Sequence, residues 1–594
     1  MDKNKELVSL VKELESEYLS GKTTVSKYVD YSIYEDLQKI DAYSNSKHTS
    51  GSEDALGREK PFFNIVTSAT NIWFRATDID RKNIRLRTKK AKHWVATFIG
   101  NIFLQNWMRK ENFGSFLNKW GYQLAKYGSS VLKFVESDGE LHRMVVDWNK
   151  LIVDPVDFYS NPVIEILELT PAQLRKNDMY DKEAVKNLLD SVSARELLDG
   201  TNKDNRSHYI KLYEIHGELP LSFITGREAE KDKYVQQMHV VSYVSNGKTD
   251  DQFTLYSGRE DKSPYILTSL IEEDGKTLST GAVKSLFEAQ WMVNHTAKQI
   301  KDQLDLASQM LYQTSDSNFV GQNALKAAQI GQILIHAPNQ PLTVVAHRPI
   351  VEPLYAMQDR WKVLGNEQVG ISEAMQGQVK SGTAWRQTEA LLAESHSLFD
   401  IMTQNKGLHI EDIMRKYVIP FMKKSLNNSE EIGAMLEAYD IKKIDKLYVK
   451  SEAVKAVKRD VIETLKKGEL PVSMDTATTE QQIQEQLNEL GGQRFFKPSE
   501  IETKTWKDIF KGFEWEVEVD VVGEDTDAKA EMATLVTLYQ NLLQKGDTET
   551  ASKVLSKILE LTGAFSPVEM TEVTAPTQPA PTQAPTMDKM VETP

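Results

Sequence analysis

The chain has 594 residues, more than one hydrophobic core holds, which predicts roughly three or four packed regions. It has no cysteine, which excludes disulfides, thiolate zinc sites and a cysteine nucleophile. The formal net charge of −14 argues against a protein that wraps DNA with a basic face, although acidic walls suit a conduit through which a polyanion slides.

Residues 1–60 are polar and rich in Lys, Glu, Ser and Asp. They begin with a charged helical pattern, lack the features of a secretory signal, and include a loop-like stretch at 47–60. No apolar run in the chain approaches the roughly 18 residues of a membrane span. We expect a peripheral N-terminal arm, assembly in the cytoplasm and no membrane partner.

From Pro61 the sequence becomes apolar, and 61–280 predicts a mixed α/β body. Helical spacing predicts two Trp-rich helices over 95–128. The patterns that follow predict a β-hairpin at 131–146 and a polar helical region at 164–206. Three or four strands are expected at 207–256. Asp138 and Gly139 are the expected hairpin turn.

The stretch 281–312 has no proline and no glycine after Gly281, so it predicts one helix of about 40 Å or more. A small insert follows at 313–350. Within it we expect a short helix at 323–329 and two strands at 333–336 and 342–346. The turn APNQP, at 337–341, lies between the strands. A second helical stretch covers 351–370.

Residues 371–383 contain two glycines and predict a loop. A long helical pattern occupies 384–427, with a kink expected at Gly407. Region 428–524 mixes helix and strand, and strict alternation predicts a strand at 513–521. Two short helices, 527–545 and 549–562, fill 525–565, and 566–594 is rich in Pro and Thr, which predicts a disordered tail.

Sequence patterns of common catalytic sites are absent. There is no GxxxxGK[ST] phosphate loop, no HExxH and no GxSxG. Paired acidic residues such as Glu272 and Glu273 suit solvated helix ends, and His336 and His347 suit ordinary polar positions. The sequence therefore predicts a protein that is not an enzyme and has neither a metal nor a cofactor.

Three stretches resemble one known family. YGSSVLKFVESDGELHRMVVDWNKLIVDPVDF (127–158), GISEAMQGQVKSGTAWRQTEALLAES (370–395) and FEWEVEVDVVGEDTDAKAEMATLVTLYQNLL (513–543) are similar to the wing hairpin, tunnel-loop passage and crown entry of the portal proteins of tailed double-stranded DNA bacteriophages. The resemblance covers most of 61–565. It implies an α+β portal fold with wing (61–280), stem helices (281–312, 351–370), clip (313–350), tunnel loop (371–383), long wing helix (384–427), wing return (428–524) and helical crown (525–565).

The resemblance implies a homododecameric ring at the unique capsid vertex of the virion, through which DNA is packaged and ejected. Implied partners are the terminase large subunit, a head-tail adaptor, the major capsid protein and scaffold, and double-stranded DNA bound without sequence specificity. Implied channel-lining stem residues are Lys298, Lys301, Asp302 and Asp305; tunnel-loop DNA contacts are Glu373, Gln376, Gln378, Lys380 and Ser381; clip docking residues are Asp316, Asn318, Gln322, Asn339 and Gln340.

Several alternatives stay open at this point. The charged stem positions also suit a simple solvated helix face, and 371–383 also suits an ordinary surface loop. Another virion ring or neck structural protein is the main alternative function, because such proteins also assemble as rings, although tail adaptors are usually much smaller. An enzyme of unrecognised type is the third possibility and needs a convergent polar site.

Overall fold

The structure, a computed structural model, has the mixed α+β class that the sequence predicts. It divides into two compact units, Met1–Arg81 with Asn112–Ile413 and Lys82–Glu111 with Met414–Pro594. The residues it describes are 3–21, 23–26, 29–55, 57–87, 94–137, 139–199, 209–245, 250–308, 311–313, 339, 343–345, 348–371, 385–425, 432–435, 445, 449, 453–454, 456–459, 477–489, 493–496, 516–519, 535 and 537–539.

The described α-helices are α1 Lys3–Ser20, α2 Ile33–Ser44, α3 Val66–Ala76, α4 Trp94–Lys110, α5 Phe113–Tyr127, α6 Pro171–Lys176, α7 Lys182–Asp199, α8 Ser222–Thr225, α9 Ala282–Ser285, α10 Phe287–Ser308, α11 Glu352–Gln368, α12 Trp385–Ile413, α13 Ile419–Ser425 and α14 Ala477–Glu489. The strands are β1 Thr23–Ser26, β2 Val29–Tyr31, β3 Ile84–Arg87, β4 Ser129–Ser137, β5 Glu140–Val146, β6 Leu151–Ile152, β7 Val163–Leu169, β8 Ile210–Pro220, β9 Tyr234–Ser245, β10 Asp250–Arg259, β11 Tyr265–Ser269, β12 Leu311–Gln313, β13 Thr343–Val345, β14 Ile432–Met435, β15 Gln493–Phe496 and β16 Glu516–Val519.

The first unit contains an antiparallel sheet in the order β10-β9-β8-β7-β6. Neighbouring residues of a strand face opposite sides of a sheet. Accordingly Tyr213 packs with α1, while Leu212 packs with α7. Leu7 and Val8 of α1 are buried. The prediction of a peripheral N-terminal arm was therefore wrong, because the apolar stripe of α1 supplies part of this core.

The predicted hairpin is confirmed as β4 and β5, which pair antiparallel from Val131↔Val146 to Ser137↔Glu140. Strand β11 pairs along the other edge of β4, giving the order β11-β4-β5. The indole of Trp120, on α5, is fully buried against this sheet and donates a 2.9 Å hydrogen bond to Thr268. The sequence predicted the Trp-rich helix and the hairpin, but not the contact between them.

Part of the polar helical region predicted at 164–206 is instead a strand. Val163–Leu169 forms β7, which pairs with β6 and β8, and helices α6 and α7 follow it. Valine and isoleucine favour strands, and here β6 and β8 pair along both edges of β7. The three strands β8, β9 and β10 confirm the prediction for 207–256.

The single long helix predicted at 281–312 is interrupted. The short helix α9 ends at Ser285, the buried side chain of Leu286 packs near Gly365, and α10 starts at Phe287. Helix α10 ends at Ser308, which makes it about 33 Å long at 1.5 Å per residue. Leu311–Gln313 forms strand β12, because it pairs with β13.

Helix α11 confirms the second helical stretch, and α12 confirms the long helix. The helix is not interrupted at Gly407, where a kink was expected: α12 runs through that residue to Ile413. Buried Met402 and Ile410 anchor the helix on either side of Gly407. That packing outweighs the roughly 1 kcal/mol that glycine costs inside a helix.

In the second unit, β3 and β16 pair antiparallel, as do β14 and β15. Asn101 of α4 holds the backbone of Leu86 with two hydrogen bonds of 2.6 and 2.8 Å. Strand β16 confirms the middle of the strand predicted at 513–521, and α14 agrees with the mixture of helix and strand predicted for 428–524. Of the crown region, 535 and 537–539 are described and helical; the rest of it and the tail lie outside the described residues.

Candidate functional site

Helices α10 and α11 form a hairpin of two antiparallel helices. Gln358 lies beside Val293, to whose carbonyl it donates a hydrogen bond of 3.4 Å, whereas Gly365, further along α11, lies beside Ala289, earlier on α10. A β-carbon at Gly365 would lie 3.0 Å from the methyl group of Ala289. The missing side chain therefore lets the two helices approach closely. We call α10 and α11 with the β12–β13 ladder the stalk.

The β12–β13 ladder continues the helix pair, with Leu311↔Val345 and Gln313↔Thr343 as its end pairs. Strand β13 confirms the strand predicted at 342–346. It pairs with β12, which includes the last residues of the helix predicted at 281–312. Asn339 is exposed and has φ 65°, a left-handed turn conformation that asparagine tolerates well. The other predicted docking residues, Asp316, Asn318, Gln322 and Gln340, lie outside the described residues.

The four predicted channel-lining residues lie together on α10, and their charges are engaged within the chain. Lys298 Nζ lies 2.7 Å from Asp302 and 3.5 Å from Asp54, and Arg58 bridges Asp54 (2.8 Å) and Asp302 (3.1 Å). The hydrogen bond to Asp302 raises the pKa of Lys298. These ion pairs attach to α10 the segment that we call the clasp, residues 53–55 and 57–65.

The remaining two stem residues belong to the same surface. Lys301 Nζ donates to the carbonyl of Glu59 at 2.8 Å, and the charge of Asp305 contributes to the raised pKa of Arg58, after the hydrogen bond from Arg58 to Asp54. The clasp occupies this charged face in the monomer. A role in lining a channel stays a prediction for all four residues.

Buried amides anchor the other half of the clasp. Gln290 accepts a hydrogen bond from the backbone nitrogen of Ile65 at 2.9 Å and donates one to the carbonyl of Phe63 at 2.7 Å. Asn294 accepts from the Phe63 nitrogen at 2.9 Å. Both amide side chains are almost fully buried, so they satisfy backbone groups that water does not reach. Sequence reasoning missed the clasp, since nothing local links 53–65 to α10.

The stalk also carries exposed apolar side chains. On α10, Trp291 is 51% exposed and its ring stacks on that of His295, with centroids 5.2 Å apart. On α11, Met357 and Leu364 are seven residues apart and therefore on one face. The exposed large apolar residues of the stalk helices are Trp291, Leu304, Leu306, Tyr355, Met357, Val363 and Leu364.

The predicted tunnel loop joins α11 to α12. Helix α11 ends at a glycine: Gly370 has φ 69°, and the nitrogen of Ile371 donates to the carbonyl of Asn366 at 2.8 Å. This pattern satisfies the last helical carbonyls and needs a residue that accepts positive φ. The predicted DNA contacts Glu373, Gln376, Gln378, Lys380 and Ser381 all lie outside the described residues.

The described residues contain no arrangement with the geometry of a nucleophile and its base that we recognise. The hydroxyls of Ser129 and Ser269 lie 3.0 Å apart, but His409 Nε2 lies 3.1 Å from the backbone nitrogen and carbonyl of Ser269. The histidine thus caps an edge of strand β11. Within the described part of the chain, no group of three or more His, Asp or Glu side chains is placed to hold a metal ion.

A cavity of about 400 Å³ lies between the end of α1 and the loop 153–162. Its walls are mostly apolar and include Tyr18 and Ile152. The carboxylate of Asp154, at the rim, accepts hydrogen bonds from the nitrogen of Val156 at 2.8 Å and from Asn161 at 2.7 Å. Its own loop therefore already satisfies the carboxylate of Asp154.

No helix among the described residues is long and apolar enough to cross a membrane. Comparison with known proteins found no matching family model and no matching curated protein. A functional proposal therefore rests on the sequence and on the geometry of the stalk.

Proposed function

We propose that the chain is the subunit of a phage portal: a ring at the capsid vertex through which double-stranded DNA passes during packaging and ejection. The observation that carries the proposal is the stalk. Its order of helix, strand ladder, helix, intervening segment and long helix α12 matches the order of stem, clip, stem, tunnel loop and wing helix that the resemblance implies.

The exposed apolar side chains of the stalk support self-association. Trp291, Met357 and Leu364 each leave more than two fifths of their surface exposed in the monomer. An exposed apolar surface on a helix pair is typical of a protein interface. In a closed ring, one side of each subunit meets a different side of its neighbour, so apolar residues on several sides of the stalk suit that arrangement.

The charge of the chain suits a conduit better than a grip. A net charge of −14 gives weak overall attraction for DNA, and Lys298 and Asp302 of the stem pair with each other and with the clasp. DNA is expected to pass without sequence-specific contacts, while 313–350 docks the terminase large subunit and later the head-tail adaptor. The major capsid protein and scaffold are the further expected partners. These partners follow from the resemblance.

The first test is negative-stain electron microscopy of the purified chain with classification by rotational symmetry. We expect rings with a central hole and about twelve subunits, the number that the resemblance implies. A chain that stays monomeric by light scattering through the micromolar range would contradict self-assembly through the stalk.

A double variant tests whether the stalk makes the contact. Trp291→Glu with Leu364→Glu should weaken each subunit contact about a hundredfold or more, since burying each of the two side chains is worth about 1.5 to 3 kcal/mol. Both residues are exposed in the monomer, so the fold should persist by circular dichroism. Tyr234→Ser, at a 63% exposed aromatic residue outside the stalk, is the matched control and should leave rings intact.

The tunnel-loop assignment has its own test. Deleting 374–381 should leave rings intact by microscopy yet impair DNA packaging or retention. Unchanged packaging and retention would contradict the assignment of 371–383. The alternative function, another virion ring or neck protein, predicts rings without any effect of this deletion on DNA passage.

A further inference from the structure

Six titratable side chains meet between the five-stranded and the three-stranded sheet of the first unit. The three-stranded sheet contributes Lys133 and Tyr265, and the five-stranded sheet contributes most of the others. Lys133 and His216 are only 4% and 2% exposed. We call this group the inter-sheet cluster; its members are Lys133, Glu165, Glu214, His216, Glu260 and Tyr265.

The register of the five-stranded sheet creates the need for positive charge. Glu165 of β7 lies directly opposite Glu214 of β8. Like charges at directly opposed positions of antiparallel strands repel. Lys133 reaches across from β4 and lies 2.7 Å from Glu165 and 2.8 Å from Glu214. One lysine therefore binds two buried carboxylates and joins the two sheets.

His216 provides the second positive charge of the cluster. Its Nε2 lies 2.6 Å from Glu214, and its Nδ1 lies 2.9 Å from Glu260. Only the protonated imidazole donates from both nitrogens, so carboxylates on both sides favour that form. When His216 is protonated, two cations face three carboxylates; when it is neutral, Lys133 alone faces all three.

We propose that His216 is a pH-sensitive lock at the edge of the inter-sheet cluster: protonated, it joins Glu214 of β8 to Glu260, the first residue after β10, and on losing its proton it loosens that joint. The proposal concerns the body of the chain and does not rest on the portal function.

The surroundings of His216 determine the direction of the effect. Burial lowers its pKa, but the hydrogen bonds to Glu214 and Glu260 and their charges outweigh burial, so the pKa is raised above 6.5. The charged and titratable groups nearby are Glu214 on its own strand, Glu260 after β10, the ring of Tyr265 on β11 at 5.1 Å, Lys133 on β4, Glu165 on β7, and Tyr180 near Glu214.

A raised histidine pKa stabilises the folded state fully below the pKa of the unfolded chain, near 6.5. That contribution is lost as the pH rises through the higher folded value. The proton has a short route out, because the side chain of Glu260 is 22% exposed. The joint should therefore respond to mild alkalinity without global unfolding.

The experiment is hydrogen exchange on the full-length protein from about pH 6 to about pH 9, corrected for intrinsic exchange. Between the unfolded-state pKa near 6.5 and the raised pKa of folded His216, the opening equilibrium of β8 and β10 should rise by up to about tenfold per pH unit. In His216→Gln, which keeps one donor and loses the charge, this rise should disappear and protection should already be low near pH 6.

His239→Gln is the matched control. His239 is also fully buried on the same sheet, but its ring nitrogens lie 2.9 Å from Gln237 and from Ser257, which are both neutral. The variant His239→Gln should therefore show the same pH-dependent exchange as the wild type. Should His216→Gln fail to fold, Glu260→Gln, at the most exposed carboxylate of the cluster, should move the response to lower pH. A wild-type response in either Glu260→Gln or a folded His216→Gln would overturn the proposal.

Discussion

Lys406 is a buried amine on α12 with one hydrogen-bond partner in the described structure. Its Nζ donates to the carbonyl of Thr77 at 2.8 Å and lies 5.5 Å from the ring centroid of Trp120. Burial lowers its pKa to about 8, against an opposing effect of Asp78. Burial thus makes the charged form of this side chain costly. Its hydrogen bond to Thr77, the residue that follows α3, stabilises the packing of α12 against α3.

This arrangement predicts a pH dependence of opposite sign to that of His216. Because the lowered pKa means that the unfolded chain binds more protons between about pH 8 and 10.5, the wild type should gain stability there relative to Lys406→Met, by about 2 to 3 kcal/mol. Denaturant unfolding of both proteins at several pH values measures the difference.

Lys186→Met, at an exposed lysine, is the control. Its free energy of unfolding should change with pH in the same way as that of the wild type. If the free-energy difference between the wild type and Lys406→Met does not change with pH, then Lys406 titrates normally and burial does not lower its pKa.

Two glycines cross where the start of α9 meets the junction of α5 and β4. Gly128 has φ 85°, and a β-carbon there would lie 2.6 Å from the nitrogen of Gly281. A β-carbon at Gly281 would lie 2.4 Å from the nitrogen of Gly128. Since backbone atoms cannot move aside cheaply, both positions require glycine, and this crossing fixes where the chain enters the stalk.

Gly281→Ala should therefore destabilise the first unit by about 3 kcal/mol or more, an overpacking effect against rigid backbone. The measurement is the midpoint of thermal or denaturant unfolding. Gly114→Ala is the control, because a β-carbon there meets nothing within 4 Å, and alanine in a helix favours stability by up to about 1 kcal/mol. Equal effects of the two substitutions would show that the backbone contact is unimportant.

At the scale of the whole molecule, the N-terminal residues are integral to the body. Helix α1 covers one face of the five-stranded sheet with Leu7, Val8 and Val11, all at most 1% exposed. Its polar side reaches the same sheet, where Lys211 lies 2.8 Å from Glu15. The clasp then continues along α10, so the first 65 residues contact both the sheet and the stalk.

Deleting residues 1–20 should lower stability by several kcal/mol, because burying each of these aliphatic side chains contributes about 1.5 to 3 kcal/mol. We expect a lower unfolding midpoint and increased binding of a hydrophobic dye. Deleting 570–594, the expected disordered tail, is the matched truncation and should change neither. A truncated protein as stable as the full-length chain would restore the peripheral-arm interpretation.

For the candidate site, the sequence identified the helices and their order but not their surroundings. Helical spacing located α10 and α11, and the polar residues of α10 were correctly placed on one stretch of helix. Their partners were not foreseen: Arg58 and Asp54 lie more than two hundred residues from Asp302 in the chain. Ion pairs of that kind depend on which segments the fold brings together, and no local pattern records it.

By itself the sequence determined the local structure wherever one pattern dominated: the β4–β5 hairpin through alternation around Asp138 and Gly139, the helices α4, α5 and α12 through apolar spacing, and the mixed α+β class. Only the tertiary structure decided the strand Val163–Leu169, the break at Leu286, the pairing of Leu311–Gln313 with Thr343–Val345 and the burial of α1. The reason is physical. Side-chain periodicity records which face of a segment is apolar, whereas strand pairing and helix breaks depend on distant residues that satisfy the backbone and fill the core.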